Sequence, residues 1–69
     1  MHMVPVISDN VSFVGYDQAT HTLRVKFHSG GTYDYYDVPV FLYEAMLLPH
    51  PWRRVGRRVR AHVYRRAAA

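Results

Sequence analysis

A chain of 69 residues and 8.1 kDa holds one small domain and leaves no room for a cleft between two. With 49% hydrophobic and 20% charged residues it is neither a disordered chain nor a coiled coil. Cysteine is absent, so disulfide and thiolate chemistry are excluded and a reducing, cytoplasmic setting is expected.

Residues 1–7 read as an extended lead-in around Pro5, without the positive and apolar regions of a targeting signal. No run of about 18 apolar residues exists to span a membrane. Ser8-Asp9-Asn10 is turn chemistry, and residues 11–17 then read as a strand. After a loop, residues 22–28 alternate Leu23, Val25 and Phe27 with Arg24, Lys26 and His28, the period of a half-buried strand. Aligning these two strands across the loop sets Asp17 opposite Thr22, Tyr16 opposite Leu23 and Val14 opposite Val25. Ser12 then falls near Phe27 on the same core face. Residues 32–38, rich in tyrosine, form a third strand after the Ser29-Gly30-Gly31 turn.

The register of that second hairpin has two solutions. A two-residue turn sets Tyr33 and Tyr35 beside Lys26 and Arg24 on the outer face, interleaving aromatic rings with cations as single-strand nucleic-acid platforms do. A three-residue loop turns the same tyrosines into the core, opposite Phe27 and Val25.

Beyond Val38 the period changes. Pro39 suits a first helical turn with Asp37 or its neighbour as cap, and Phe41, Leu42, Ala45 and Met46 follow at helical spacing. Pro49 and Pro51 end this helix near Leu48, and Pro51 opens a second. There Trp52, Val55, Val59 and Val63 make one apolar stripe, with Trp52 as the core anchor. Residues 65–69 read as a frayed basic tail. The expected architecture is α+β: a three-stranded antiparallel meander with one face covered by two C-terminal helices, a single domain over residues 8–64.

Charge is distributed unevenly. Residues 1–52 carry two cations against five acids, whereas residues 53–69 carry seven arginines and no acid. A net charge of +4 and a pI near 9.9 point to a polyanionic partner. Arg53, Arg54, Arg57, Arg58 and Arg60 line the polar side of the second helix, and guanidinium groups match phosphate geometry. Non-catalytic binding of nucleic acid, RNA before DNA, is the expected function. Those five arginines are its first surface, and Arg24, Lys26, Tyr33 and Tyr35 its second. The alternative is a protein-interaction module that docks an acidic partner or pairs through a sheet edge. Enzyme chemistry finds no support. The five histidines lack metal-ligand spacing, and no serine sits in a nucleophile elbow. No phosphate-loop lysine follows Gly30-Gly31. Neither a metal nor a cofactor is expected.

The ordered series of Ser8, Val11, Val14-Gly15-Tyr16-Asp17, Leu23-Arg24-Val25-Lys26-Phe27, Gly31, Tyr33-Asp34-Tyr35 and Val38-Pro39 resembles the KTSC domain family. Members of that family occur as small bacterial proteins and at the C-terminus of some lysyl-tRNA synthetases. The resemblance runs over about residues 8–64. It implies the same small α+β fold and RNA binding, and brings no established enzymatic activity with it. Pro49-His50-Pro51-Trp52 departs from the family pattern, standing where members carry a glycine-containing segment.

Overall fold

The computed structural model describes residues 1–67. The strands β1 (Met3–Pro5), β2 (Val11–Asp17), β3 (Thr22–Phe27) and β4 (Thr32–Tyr35) are followed by helices α1 (Val40–Met46) and α2 (Pro51–Arg60), then by strand β5 (Tyr64–Arg66). All five strands form one antiparallel sheet in chain order. The helices cover one face, so the domain is a two-layer α+β sandwich. The central meander is as expected, but it is extended by a strand on each edge.

The core lies between sheet and helices. Val11, Val14, Leu23, Val25 and Tyr35 point up from the sheet, and Val38, Leu42, Met46, Val55 and Val59 point down from the helical layer. Full burial of each aliphatic side chain contributes roughly 1.5–3 kcal/mol, the main favourable term in so small a domain.

The first hairpin pairs as the alternation dictates, with Tyr16 opposite Leu23 and Val14 opposite Val25. Its far end does not. A bulge between Val11 and Phe13 puts Val11 opposite Phe27, so Val11 takes the core place expected for Ser12. Ser12 bonds instead with His28 Nδ1 at 2.8 Å, while His28 Nε2 donates to the Ser8 carbonyl at 2.8 Å.

The second hairpin adopts the core-facing parity. Tyr35 lies opposite Leu23 and Tyr33 opposite Val25, two residues along from the expected partners. The loop is His28-Ser29-Gly30: Gly30 N–H donates to the Phe27 carbonyl at 2.9 Å and Phe27 N–H to the Gly31 carbonyl at 2.9 Å. Gly30 has φ of 104°, which a glycine adopts at no steric cost.

β4 ends at Tyr35, three residues short of the expected strand. Asp37, with φ of 55°, turns the chain, and two hydrogen bonds hold Val38 against the core face of the sheet. Its N–H donates to the His21 carbonyl at 2.9 Å, and Tyr16 O–H donates to its carbonyl. Pro39 therefore occupies the N-cap of α1 expected for Asp37 or its neighbour, and among the described residues no side chain caps the helix. Pro51 opens α2 as expected.

α2 stops at Arg60, before Val63, which is 76% exposed rather than part of the buried stripe. Sheet pairing supersedes helical periodicity here. Tyr36 N–H donates to the Val63 carbonyl at 2.8 Å, and His62 Nδ1 donates to the Tyr36 carbonyl at 3.0 Å. These contacts feed residues 64–66 onto the β4 edge. Arg65 and Arg66, expected to fray, are paired strand residues opposite Asp34 and Tyr33. Of the expected tail, residues 68–69 lie outside the described part.

Candidate nucleic-acid interface

The nine residues expected to bind nucleic acid fall into three places. Arg24 and Lys26 lie on the outer face of the sheet. Arg24 is held by Asp34 in a fork, Nε to Oδ1 at 2.7 Å and Nη2 to Oδ2 at 3.0 Å. That hydrogen bonding, against the opposing effect of burial, raises the Arg24 guanidinium above its ordinary pKa. Lys26 lies over the Phe13 ring at 5.8 Å. Tyr33 and Tyr35 are on the opposite face, so the expected mixed platform of tyrosines with Arg24 and Lys26 does not form. The three-residue loop decides this, because a one-residue change of register exchanges the two faces.

The arginines of α2 do share one exposed side. A winding of about 100° per residue orders them Arg60, Arg53, Arg57, Arg54, Arg58 around the helix. Val55 and Val59 anchor the opposite side in the core. At one margin Arg58 lies over the Phe41 ring of α1 at 5.9 Å. Between the margins, Arg53 pairs with Asp9 and Arg54 Nε donates to the Pro49 carbonyl at 3.2 Å. Among the described residues, Arg53 is the only one of the five with a carboxylate in ion-pair reach.

At the other margin Arg60 reaches a pocket that sequence reasoning did not assemble. Phe27, Tyr33, Tyr35, Trp52, Arg60 and Tyr64 line a cavity of about 320 Å³ between β3–β5 and α2. Its five aromatic rings make a closed circuit. Phe27 meets Tyr33 at 5.8 Å, Tyr33 meets Tyr64 at 5.9 Å, and Tyr64 meets Tyr35 at 5.7 Å. Tyr35 meets Trp52 at 6.3 Å, and Trp52 returns to Phe27 at 5.1 Å. Three of these pairs are edge-to-face, an arrangement ring quadrupoles favour, and the two made by Tyr35 are tilted. Arg60 lies over the indole at 5.8 Å, with its Nε donating to the Gly56 carbonyl at 3.2 Å.

The pocket has a local cause at each wall. Gly56 lets the indole lie against α2, because a Cβ there would stand 2.9 Å from Trp52 Cδ2. Trp52 is accordingly a half-buried wall of the pocket rather than a fully enclosed anchor. β5 supplies Tyr64, opposite Tyr35 and 60% exposed. Burial raises the Tyr35 phenol above its ordinary pKa, and the neighbouring Tyr64 and Tyr33 hydroxyls add to the shift. Phe27, Trp52 and Tyr64 could not be grouped from spacing, since they come from three distant segments. The one sequence signal was the tyrosine-rich third strand.

Comparison with known proteins places this architecture. The KTSC domain model matches residues 7–48, well over half of the 69-residue chain. A curated protein of Tsukamurella paurometabola is 40% identical over 45 residues, covering 65% of this chain and 67% of that one. The chain belongs to the KTSC domain family. The crystal structure of a KTSC domain protein from Yersinia pestis superposes with a TM-score of 0.87, at 23% identity, over 97% of each chain. That likeness shows the fold, including the part beyond residue 48. The family model ends before α2, so Phe27, Tyr33 and Tyr35 lie inside the matched region and Trp52, Arg60 and Tyr64 outside it.

Proposed function

We propose that this chain is a non-catalytic module that binds nucleic acid, RNA before DNA, through the exposed side of α2. The observation that carries this reading is the arginine fan, five guanidinium groups on a helix whose other side is fastened to the core. A cationic surface of this kind contacts phosphates, gives little sequence preference, and loses affinity steeply as salt rises. The preference for RNA rests on the family's occurrence in lysyl-tRNA synthetases.

A fluorescence-anisotropy titration of labelled single-stranded RNA at low and moderate salt tests the reading. Arg57→Glu/Arg58→Glu is the matched variant, since neither side chain pairs with a carboxylate among the described residues. Binding that weakens with salt and disappears in the variant is the expected result. Equal affinity of the two proteins overturns it. A second reading, a protein partner docked by apolar contact, rests on exposed side chains of α1 and the turn that follows it. Phe41 in α1 is 54% exposed, with Arg58 over its ring, and Leu48 just beyond the helix is 51% exposed. Association that is insensitive to salt and lost on Phe41→Ser would favour it.

A further inference from the structure

We infer that the aromatic pocket receives one unpaired nucleobase, with the adjoining phosphate held by Arg60 and Arg66. This deepens the nucleic-acid reading above and rests on it. Three observations define the occupant.

The first is charge. Arg60 covers the indole face at one side of the pocket. β-pairing places Arg66 opposite Tyr33, on the same sheet face as Tyr64. Among the described residues, no carboxylate lines the cavity. An ammonium or methylated-lysine ligand, which aromatic cages otherwise attract, meets cations here and is disfavoured. A group carrying negative charge at its rim is favoured.

The second is shape and chemistry of the wall. Apart from Arg60, every lining residue is aromatic. Planar ligands gain most from such a wall, and bases stack on it whatever their identity. The cavity, about 320 Å³, lies at the small end of ligand pockets, which suits one ring system rather than a folded segment of protein.

The third is continuity. Arg60 belongs to both the pocket and the arginine fan, and it shares a side of α2 with Arg53 and Arg57. A strand whose phosphates follow the fan therefore arrives at the pocket mouth. There Tyr64, at 60% exposure, presents a ring to the incoming base. In this arrangement the arginines position the backbone, and the pocket takes a base splayed from it.

The experiment compares wild type, Tyr64→Ala and Tyr33→Leu on a labelled oligouridylate and on an abasic ribose-phosphate strand of equal length. Trp52, the only tryptophan, serves as an internal fluorophore. For wild type, the oligouridylate should quench Trp52 emission and bind more tightly than the abasic strand. Each tyrosine variant should lose roughly 5- to 150-fold in oligouridylate affinity, the range of one base–aromatic stack. Affinity of the variants for the abasic strand should be unchanged. Circular dichroism of both variants checks that the fold is retained, and Tyr64, on the exposed edge strand, is the milder replacement. Equal wild-type affinity for the two strands, without quenching, overturns the base pocket while leaving phosphate binding by α2 intact. Failure of wild type to bind either strand at low salt overturns the nucleic-acid reading itself.

Discussion

Replacing Gly56 with alanine sets two effects of known size against each other. Helix propensity favours the alanine by about 1 kcal/mol. Packing opposes it: the new Cβ would stand 2.9 Å from Trp52 Cδ2, 3.1 Å from Cγ and 3.2 Å from Cε2. Carbon atoms in contact prefer about 3.5–4.0 Å, so the indole has to retreat by roughly half an ångström. That retreat disturbs its contacts with Phe27, edge-on at 5.1 Å, and with Tyr35 at 6.3 Å. Overpacking of this kind costs about 1–3 kcal/mol, and each aromatic contact loosened forfeits about 0.5–1.5 kcal/mol. The expected balance is a net loss of about 1 kcal/mol, a fall in Tm of roughly 4–8 °C for a domain of this size. Thermal unfolding followed by circular dichroism measures the loss. Trp52 emission, which reports only this indole, should change in the same variant. A Tm raised by the full propensity gain, with unaltered emission, would refute the packing of Trp52 on Gly56.

Three further outcomes follow from the same structure. Gly15→Ala should detach the N-terminal strand, because its Cβ would meet the His2 carbonyl at 2.8 Å and Met3 Sδ at 2.6 Å. Faster hydrogen exchange across β1, with β3 and β4 unaffected, is the expected signature, and unchanged exchange refutes it. The two ion pairs should differ sharply. Arg53→Ala removes a pair whose side chains are 67% and 64% exposed and should shift stability by less than about 0.5 kcal/mol. Arg24→Met strips the fork from Asp34, only 14% exposed, and should cost about 1–3 kcal/mol by urea titration; equal effects would contradict the burial difference. Tyr35 has a phenol pKa raised in the folded state, mainly by burial. Its contribution to stability is therefore complete below the ordinary tyrosine value of about 10 and is lost as pH rises past it. Urea midpoints should fall between pH 9 and 11, and Tyr35→Phe should flatten that fall. An unchanged slope in the variant would show that another group controls it.

Local pattern was sufficient wherever a single element carried the information. The alternation of Leu23, Val25 and Phe27 set β3 and its pairing with β2, since side chains in a strand repeat every two residues. Pro51 and the spacing of Val55 and Val59 set α2 and the side it buries. The ordered residues up to Pro39 were enough to indicate the family, and they lie within residues 7–48, where the family model matches. Pattern failed at the ends of elements. Helical spacing carried the second helix to Val63, yet the unpaired edge of β4 captured residues 64–66 as β5. Three-residue strands at the sheet margins, such as β1 and β5, are too short to show a period of their own.

The face on which the tyrosines lie turned on one loop residue. Both hairpins satisfied the same sequence, and only the packed sheet selects between them, by setting Val25 and Leu23 against Tyr33 and Tyr35 beneath the helices. The sequence by itself determined the arginine-rich helix, because charge on one side and valine on the other are properties of neighbouring residues. Tertiary structure alone decided the aromatic pocket. Its walls come from β3, β4, α2 and β5, and contacts between segments so far apart in the chain leave no trace in local periodicity.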